Sequence, residues 1–234
     1  MFSYISFTYG PGGPGNGNLV KDEIENMAEY LNQDTNINHE FRTDDWGDCG
    51  INTNGYSDEK KYIGDVVRKL VDENPIMENE VIAIAHDKAH PDFGYGASRY
   101  VDYDGHRYFG CTINANMFAV DGWETRAFTW HEVAHCLTLQ DETADHGKGE
   151  YDLDTYGKMT NITPLATGYV IDTYDDPDTK YSGSAQPPSS FCYNEDNYTD
   201  KNYTSNRTYY HDKNRLSSCT RNAISDWVEE YFGN

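Results

Sequence analysis

WETRAFTWHEVAHCLTL, residues 123–139, is the stretch on which the reading of this 234-residue chain turns. Phe128, Trp130, Val133, Ala134, Leu137 and Leu139 surround it with apolar side chains, so it reads as a core helix from about Trp123 to Leu139, opened after Gly122. Three ionisable groups interrupt that apolar wall: His131, Glu132 and His135, in an H-E-x-x-H pattern. Residues four apart lie on one face of a helix, so the two imidazoles can reach a single cation. Glu132 then stands beside the first of them, able to hold a water without itself binding the ion. Two core histidines satisfied by neighbouring polar groups are the bland alternative.

Upstream, residues 2–8 alternate apolar and polar like a strand, so Met1 reads as the start of a trimmed or engineered mature chain rather than of a signal peptide. The run Gly10–Gly17, Gly-Pro-Gly-Gly-Pro-Gly-Asn-Gly, lacks the Lys-Ser/Thr ending of a phosphate loop and reads as a flexible connection. Asn18 is the expected cap of a helix carrying Val20, Ile24, Met27 and Leu31 on one face. A short strand is expected near His39–Arg42, and a helix from Ser57 with Ile63, Val66, Val67 and Leu70 at helical spacing. Glu80–His86 reads as a buried strand, 88–105 as a Gly-, Asp- and Tyr-rich loop, and Arg107–Val120 as one or two strands. The order β-α-β-α-β-β-α predicts an α/β (α+β) fold, a mixed twisted sheet with helices that culminates in the motif helix.

Beyond Leu139 the character changes. Residues 141–218 are poor in apolar runs and rich in Asp, Asn, Gly, Pro and Tyr, and read as an irregular half. Ile224, Trp227, Val228 and Tyr231 mark one amphipathic helix after it. Two subdomains of one catalytic domain are expected, 1–140 and 141–234.

The motif suits zinc. Two imidazoles and an oxygen ligand leave a fourth position for water, whose pKa then falls towards neutrality. Glu132 is the expected general base, taking that water's proton and passing it to the leaving amine of a peptide bond. The expectation is one catalytic zinc ion, a protein or peptide substrate, and endopeptidase activity. A zinc-stabilised binding protein without catalysis and a hydrolase of non-peptide substrates are the competing readings. A structural zinc normally closes its fourth position with protein, and the intact Glu132 speaks against that. The Asp-rich stretches 141–154 and 172–178 are candidates for calcium, without EF-hand spacing.

Through Asp141 the segment reads His-Glu-Val-Ala-His-Cys-Leu-Thr-Leu-Gln-Asp, which resembles the metzincin clan of metallopeptidases and its longer motif H-E-x-x-H-x-x-G-x-x-H/D. Leu137 and Leu139 match leucines often seen around the clan's glycine, and an aspartate in the last position is most similar to the small secreted bacterial peptidases of snapalysin type. The resemblance implies a zincin-like fold with Asp141 as third ligand beside His131 and His135. It also implies a methionine turn beneath the metal, for which Met159 is the sole candidate after the motif. A cleft-rim strand that pairs with extended substrate would fall at roughly Tyr108–Phe118. One position departs: the clan's glycine is Thr138, which adopts a left-handed conformation less readily, so His146, or Asp152 or Asp154, stands as a substitute third ligand. Tyr156 is a candidate near the oxyanion, and His39, His86, His90, His106 and His211 lack ligand spacing and read as surface or structural.

Forty acidic against eighteen basic residues give a net charge of −22, spread along the chain, which repels nucleic acid and anionic membrane surfaces. Self-repulsion of that size favours a surface adapted to high salt. No stretch has the apolar length of a membrane span. Of five cysteines, Cys136 falls on the apolar helix and reads as a buried free thiol. The other four allow three connectivities; nearness in sequence suggests Cys192–Cys219, leaving Cys49 with Cys111. Sequons at Asn161, Asn197, Asn202 and Asn206, together with paired cysteines, predict a glycosylated, secreted protein.

Overall fold

In the computed structural model of the chain, the described residues are 1–11, 17–86, 96–115, 123–138, 151–153, 159–162, 210–211, 216 and 218–233. A five-stranded mixed sheet with helices on both faces forms the body, as the α/β reading expects. Its strands are β1 (Phe2–Tyr9), β2 (Glu40–Asp48), β3 (Val81–His86), β4 (Gly96–Tyr103) and β5 (His106–Asn114), in the spatial order β2-β1-β3-β5-β4. The first four strands of that order run parallel, and β4 alone is antiparallel to its neighbour.

Alternation sorts the side chains into two layers. On β3, Val81, Ala83 and Ala85 face one core while Ile82 and Ile84 face the other, and all six residues are buried. The first core takes α1 (Gly17–Asn32), α3 (Trp123–Cys136) and α4 (Ser218–Phe232); the second takes α2 (Glu59–Glu73). The apolar stripes expected on α1 and α2 are the buried ones: Val20, Ile24, Met27 and Leu31, then Ile63, Val66, Val67 and Leu70. Each such side chain contributes about 1.5–3 kcal/mol of burial. α4 joins the first core through Ile224 and Trp227, and Arg221 pairs at 2.8 Å with the buried Asp34 at the end of α1.

Four expectations shift. α1 opens at Gly17, one residue before Asn18, and the cap of α2 is Asp58, whose carboxylate accepts the N–H groups of Lys60 and Lys61. The loop expected over 88–105 contains β4, a strand half-exposed at the sheet's edge. Within residues 141–218, expected to be irregular, β6 (Tyr151–Leu153), β7 (Met159–Ile162) and β8 (Tyr210–His211) form a small separate sheet.

The pairing of Cys49 with Cys111 is not made. Both are free and buried, and they lie in opposite layers: Cys111 points into the α1/α3/α4 core, Cys49 into the α2 core beside Tyr62. A five-stranded sheet between them puts a disulfide out of reach. Cys136 is free and buried as expected, and its thiol lies against that of Cys111, whose own thiol burial holds well above the usual range. Cys192 lies outside the described residues, so the Cys192–Cys219 pairing does too. Among the described residues no helix is long and apolar enough to cross a membrane.

Candidate metal centre

α3 carries the motif, and the sequence holds this helix in place from two sides. Trp130 is fully buried and its indole N–H donates to Glu23 of α1 at 2.8 Å, while its ring meets Tyr30 edge-on at 5.3 Å. Val133, Ala134 and Leu137 pack into the same core. With those residues turned inward, His131, Glu132 and His135 fall where the helix passes the end of the sheet. All three are buried, at 5%, 3% and 7% exposure, which matters because ionisable groups so deep require a partner.

The two imidazoles converge. Their Nε2 atoms are 3.0 Å apart and the rings stand nearly perpendicular, 85° between planes. A shared proton or a shared cation satisfies such a pair. Two nitrogens bound to one tetrahedral zinc at about 2.0–2.1 Å would be about 3.3 Å apart. The observed spacing is within a few tenths of an ångström of that, so the pair fits zinc with little movement.

Glu132 follows His131 in the helix and packs against the start of β4 at the sheet's edge. Its carboxyl is held well above the usual carboxylate range, first by burial and then by the charge of Glu59. The neighbour that makes room for it is Gly96, the first residue of β4: a Cβ there would come within 2.7 Å of the Glu132 side chain. The position of β4 in the sheet explains this. Gly96 pairs with Ile113, near the carboxyl end of β5, and β3 ends there at His86. The motif therefore sits at the carboxyl ends of the parallel strands, where α/β sheets place their crevices.

The end of α3 resolves the departure at Thr138. Among non-glycine residues described, only Asn79 and Asp104 have positive φ, so Thr138 does not take the left-handed turn a glycine would supply. Instead its hydroxyl donates to the His135 carbonyl at 3.3 Å, and the Leu137 N–H is shared between the Val133 and Ala134 carbonyls. The helix so ended stops at Cys136, short of the expected Leu139.

Asp141, His146, Asp154 and Tyr156 lie outside the described residues, and Asp152 and Met159 are placed only as members of β6 and β7. Among the described residues no group of three metal-ligating side chains forms. The strand expected as a cleft rim is corrected: β5 is flanked on both sides, by β3 and β4, and among the described residues the sheet's terminal strands are β2 and β4.

Sequence reasoning missed a buried polar corner behind Glu132. His86, read as surface or structural, is buried at the end of β3, and its Nε2 lies 3.7 Å from Oε1 of Glu59. Thr112 of β5 donates to the same Glu59 oxygen at 2.6 Å. A usable signal for β4 was Asp104-Gly105, a two-residue hairpin turn with φ of 49° and 82°.

Comparison with protein-family models and with curated proteins finds no match for this chain.

Proposed function

We propose that the chain is a secreted zinc-dependent endopeptidase of metzincin type, cleaving proteins or peptides within the chain. The observation that carries this reading is the meeting of His131 and His135 at 3.0 Å beside a third buried ionisable group, Glu132. Two histidines in a plain core would need one polar neighbour each; a carboxyl buried next to them at further cost is what hydrolysis requires.

Zinc, when bound, acidifies a water and polarises the carbonyl to be attacked. His131 and His135 would hold the ion through Nε2, with Asp141 as third ligand by the motif's resemblance. Glu132 accepts the water's proton on its carboxylate and returns it to the departing amine; a carboxyl that burial holds above the usual carboxylate range takes up that proton more readily. The open edge of β4, which starts beside Glu132, offers backbone N–H and C=O groups to which an extended peptide can add as a further strand. Export rests on the sequons at Asn197, Asn202 and Asn206, three within ten residues of an acidic chain.

Hydrolysis of an internally quenched peptide or casein, with and without a strong chelator, tests the reading. Activity should vanish with chelator and return with zinc. Glu132→Gln should lower kcat/KM by about 10²–10⁴-fold while zinc stays bound. Hydrolysis that survives the chelator, or survives intact in Glu132→Gln, would refute it.

A further inference from the structure

One hydroxyl joins the start of the edge strand to a helix on the opposite face of the sheet. Thr112 is fully buried on β5; its Oγ1 accepts the N–H of Ala97 at 3.1 Å and donates to Oε1 of Glu59 at 2.6 Å. Ala97 is the residue after Gly96 and lies opposite Thr112 in the β4–β5 pair. Glu59 is the first residue of α2, and Asp58 caps that helix through the N–H groups of Lys60 and Lys61. The chain of contacts thus runs from the rigid end of α2 through Thr112 to the first two residues of β4.

The remainder of β4 is held by other means. Tyr103 donates to Asp72 at 2.8 Å and Arg107 clasps Asp102 at 2.8 Å, both at the strand's far end. At the near end, the Thr112 hydroxyl receives the Ala97 N–H, one residue from Gly96. Gly96 touches Glu132, so a shift of this strand end changes the gap between the open edge and the general base.

We infer that Glu59 and Thr112 are positioning residues: together they set where the substrate-pairing edge begins relative to Glu132. This rests on the peptidase reading above. A pairing strand holds the peptide before and during cleavage alike, so loosening it removes uniform binding and appears in KM more than in kcat. Neither residue belongs to the proposed ligand set or carries the transferred proton, and the hydroxyl and carboxylate oxygens, rather than charge alone, transmit the effect.

Steady-state peptide hydrolysis by the full, zinc-loaded chain tests this, comparing wild type with Thr112→Val, Thr112→Ser, Glu59→Ala and Glu59→Gln. Thr112→Val should raise KM about tenfold with kcat changed less than about threefold, and Glu59→Ala should raise KM by a similar factor. Thr112→Ser and Glu59→Gln, which keep the bridging oxygens, should return KM to within about twofold of wild type. Thr112→Val and Glu59→Ala break one link from opposite ends, so either decides the matter if the other fails to fold. Folded variants with wild-type KM, or conservative variants that fail to rescue it, overturn the inference while wild-type hydrolysis stands. A wild type without chelator-sensitive hydrolysis overturns the peptidase reading itself, and this inference with it.

Discussion

Gly96 stands where any side chain would collide with Glu132: a Cβ built there lies 2.7 Å from both Cγ and Oε1 of the glutamate and 2.8 Å from the Thr112 carbonyl oxygen. The strand end and the motif helix therefore approach more closely than two ordinary residues permit. Backbone on one side and a buried carboxyl on the other leave the new methyl no direction in which to move.

Gly96→Ala should accordingly cost about 1–3 kcal/mol of stability through overpacking. It should also lower kcat/KM by about 10²-fold, because a displacement near 1 Å at the base is sufficient for that. Denaturant titration and peptide hydrolysis on the same preparation read both effects. A variant as active as wild type would mean that the contact has no part in catalysis.

Acid should act on His39 well away from the motif. Its ring is buried between Phe41 and Phe232, with Nε2 3.0 Å from the Ser3 hydroxyl, and burial lowers its pKa to about 4. A depressed folded-state pKa means that the unfolded chain binds the proton first. The stability His39 brings as a neutral ring is whole above its ordinary value near pH 6.5 and is lost as pH falls towards about 4. Across that window the wild type should lose more stability than His39→Leu, measured as the change in urea midpoint with pH. Parallel curves for the two proteins would contradict the assignment.

Much of this architecture is legible before any coordinates. The stripes on α1 and α2 and the all-apolar β3 announce themselves, because core-facing positions repeat at fixed intervals and admit few residue types. The candidate site is half legible. Spacing alone brings His131, Glu132 and His135 together, since four residues of helix fix that geometry. Gly96, Thr112 and Glu59 escape notice because they meet only in three dimensions, from two strands and a helix dispersed over more than fifty residues. β4 escapes for a related reason: an edge strand faces solvent along part of its length, so Ser98, Arg99 and Asp102 dilute the pattern that Val101 and Tyr103 keep. The cysteines mislead because pairing by elimination knows nothing of the sheet that separates Cys49 from Cys111.

Trp227 fastens the last helix to the sheet. It is fully buried against Phe109, Tyr231 and Phe232, and its indole N–H has no partner among the described residues. Trp227→Ala should destabilise the fold by about 3–5 kcal/mol. Trp227→Phe should cost much less, since among the described residues no hydrogen bond is lost with the ring nitrogen. Thermal melts of the two variants compare the costs directly; equal losses would show that the indole nitrogen matters.

The net charge of −22 sets a response to salt. Repulsion among exposed carboxylates is screened within about 3 Å at 1 M ionic strength, against about 30 Å at 0.01 M. The melting temperature should therefore rise from low to molar sodium chloride. A flat or falling curve would remove the high-salt reading of this surface.

Calorimetric titration of the metal-free chain measures whether His131 and His135 hold zinc. One zinc ion should bind per chain, with affinity unchanged in Glu132→Gln. In His131→Ala and in His135→Ala it should fall by more than about 100-fold, beyond what loss of a mere supporting group costs. No binding by the wild type, or equal binding by all four proteins, would contradict zinc binding by this pair.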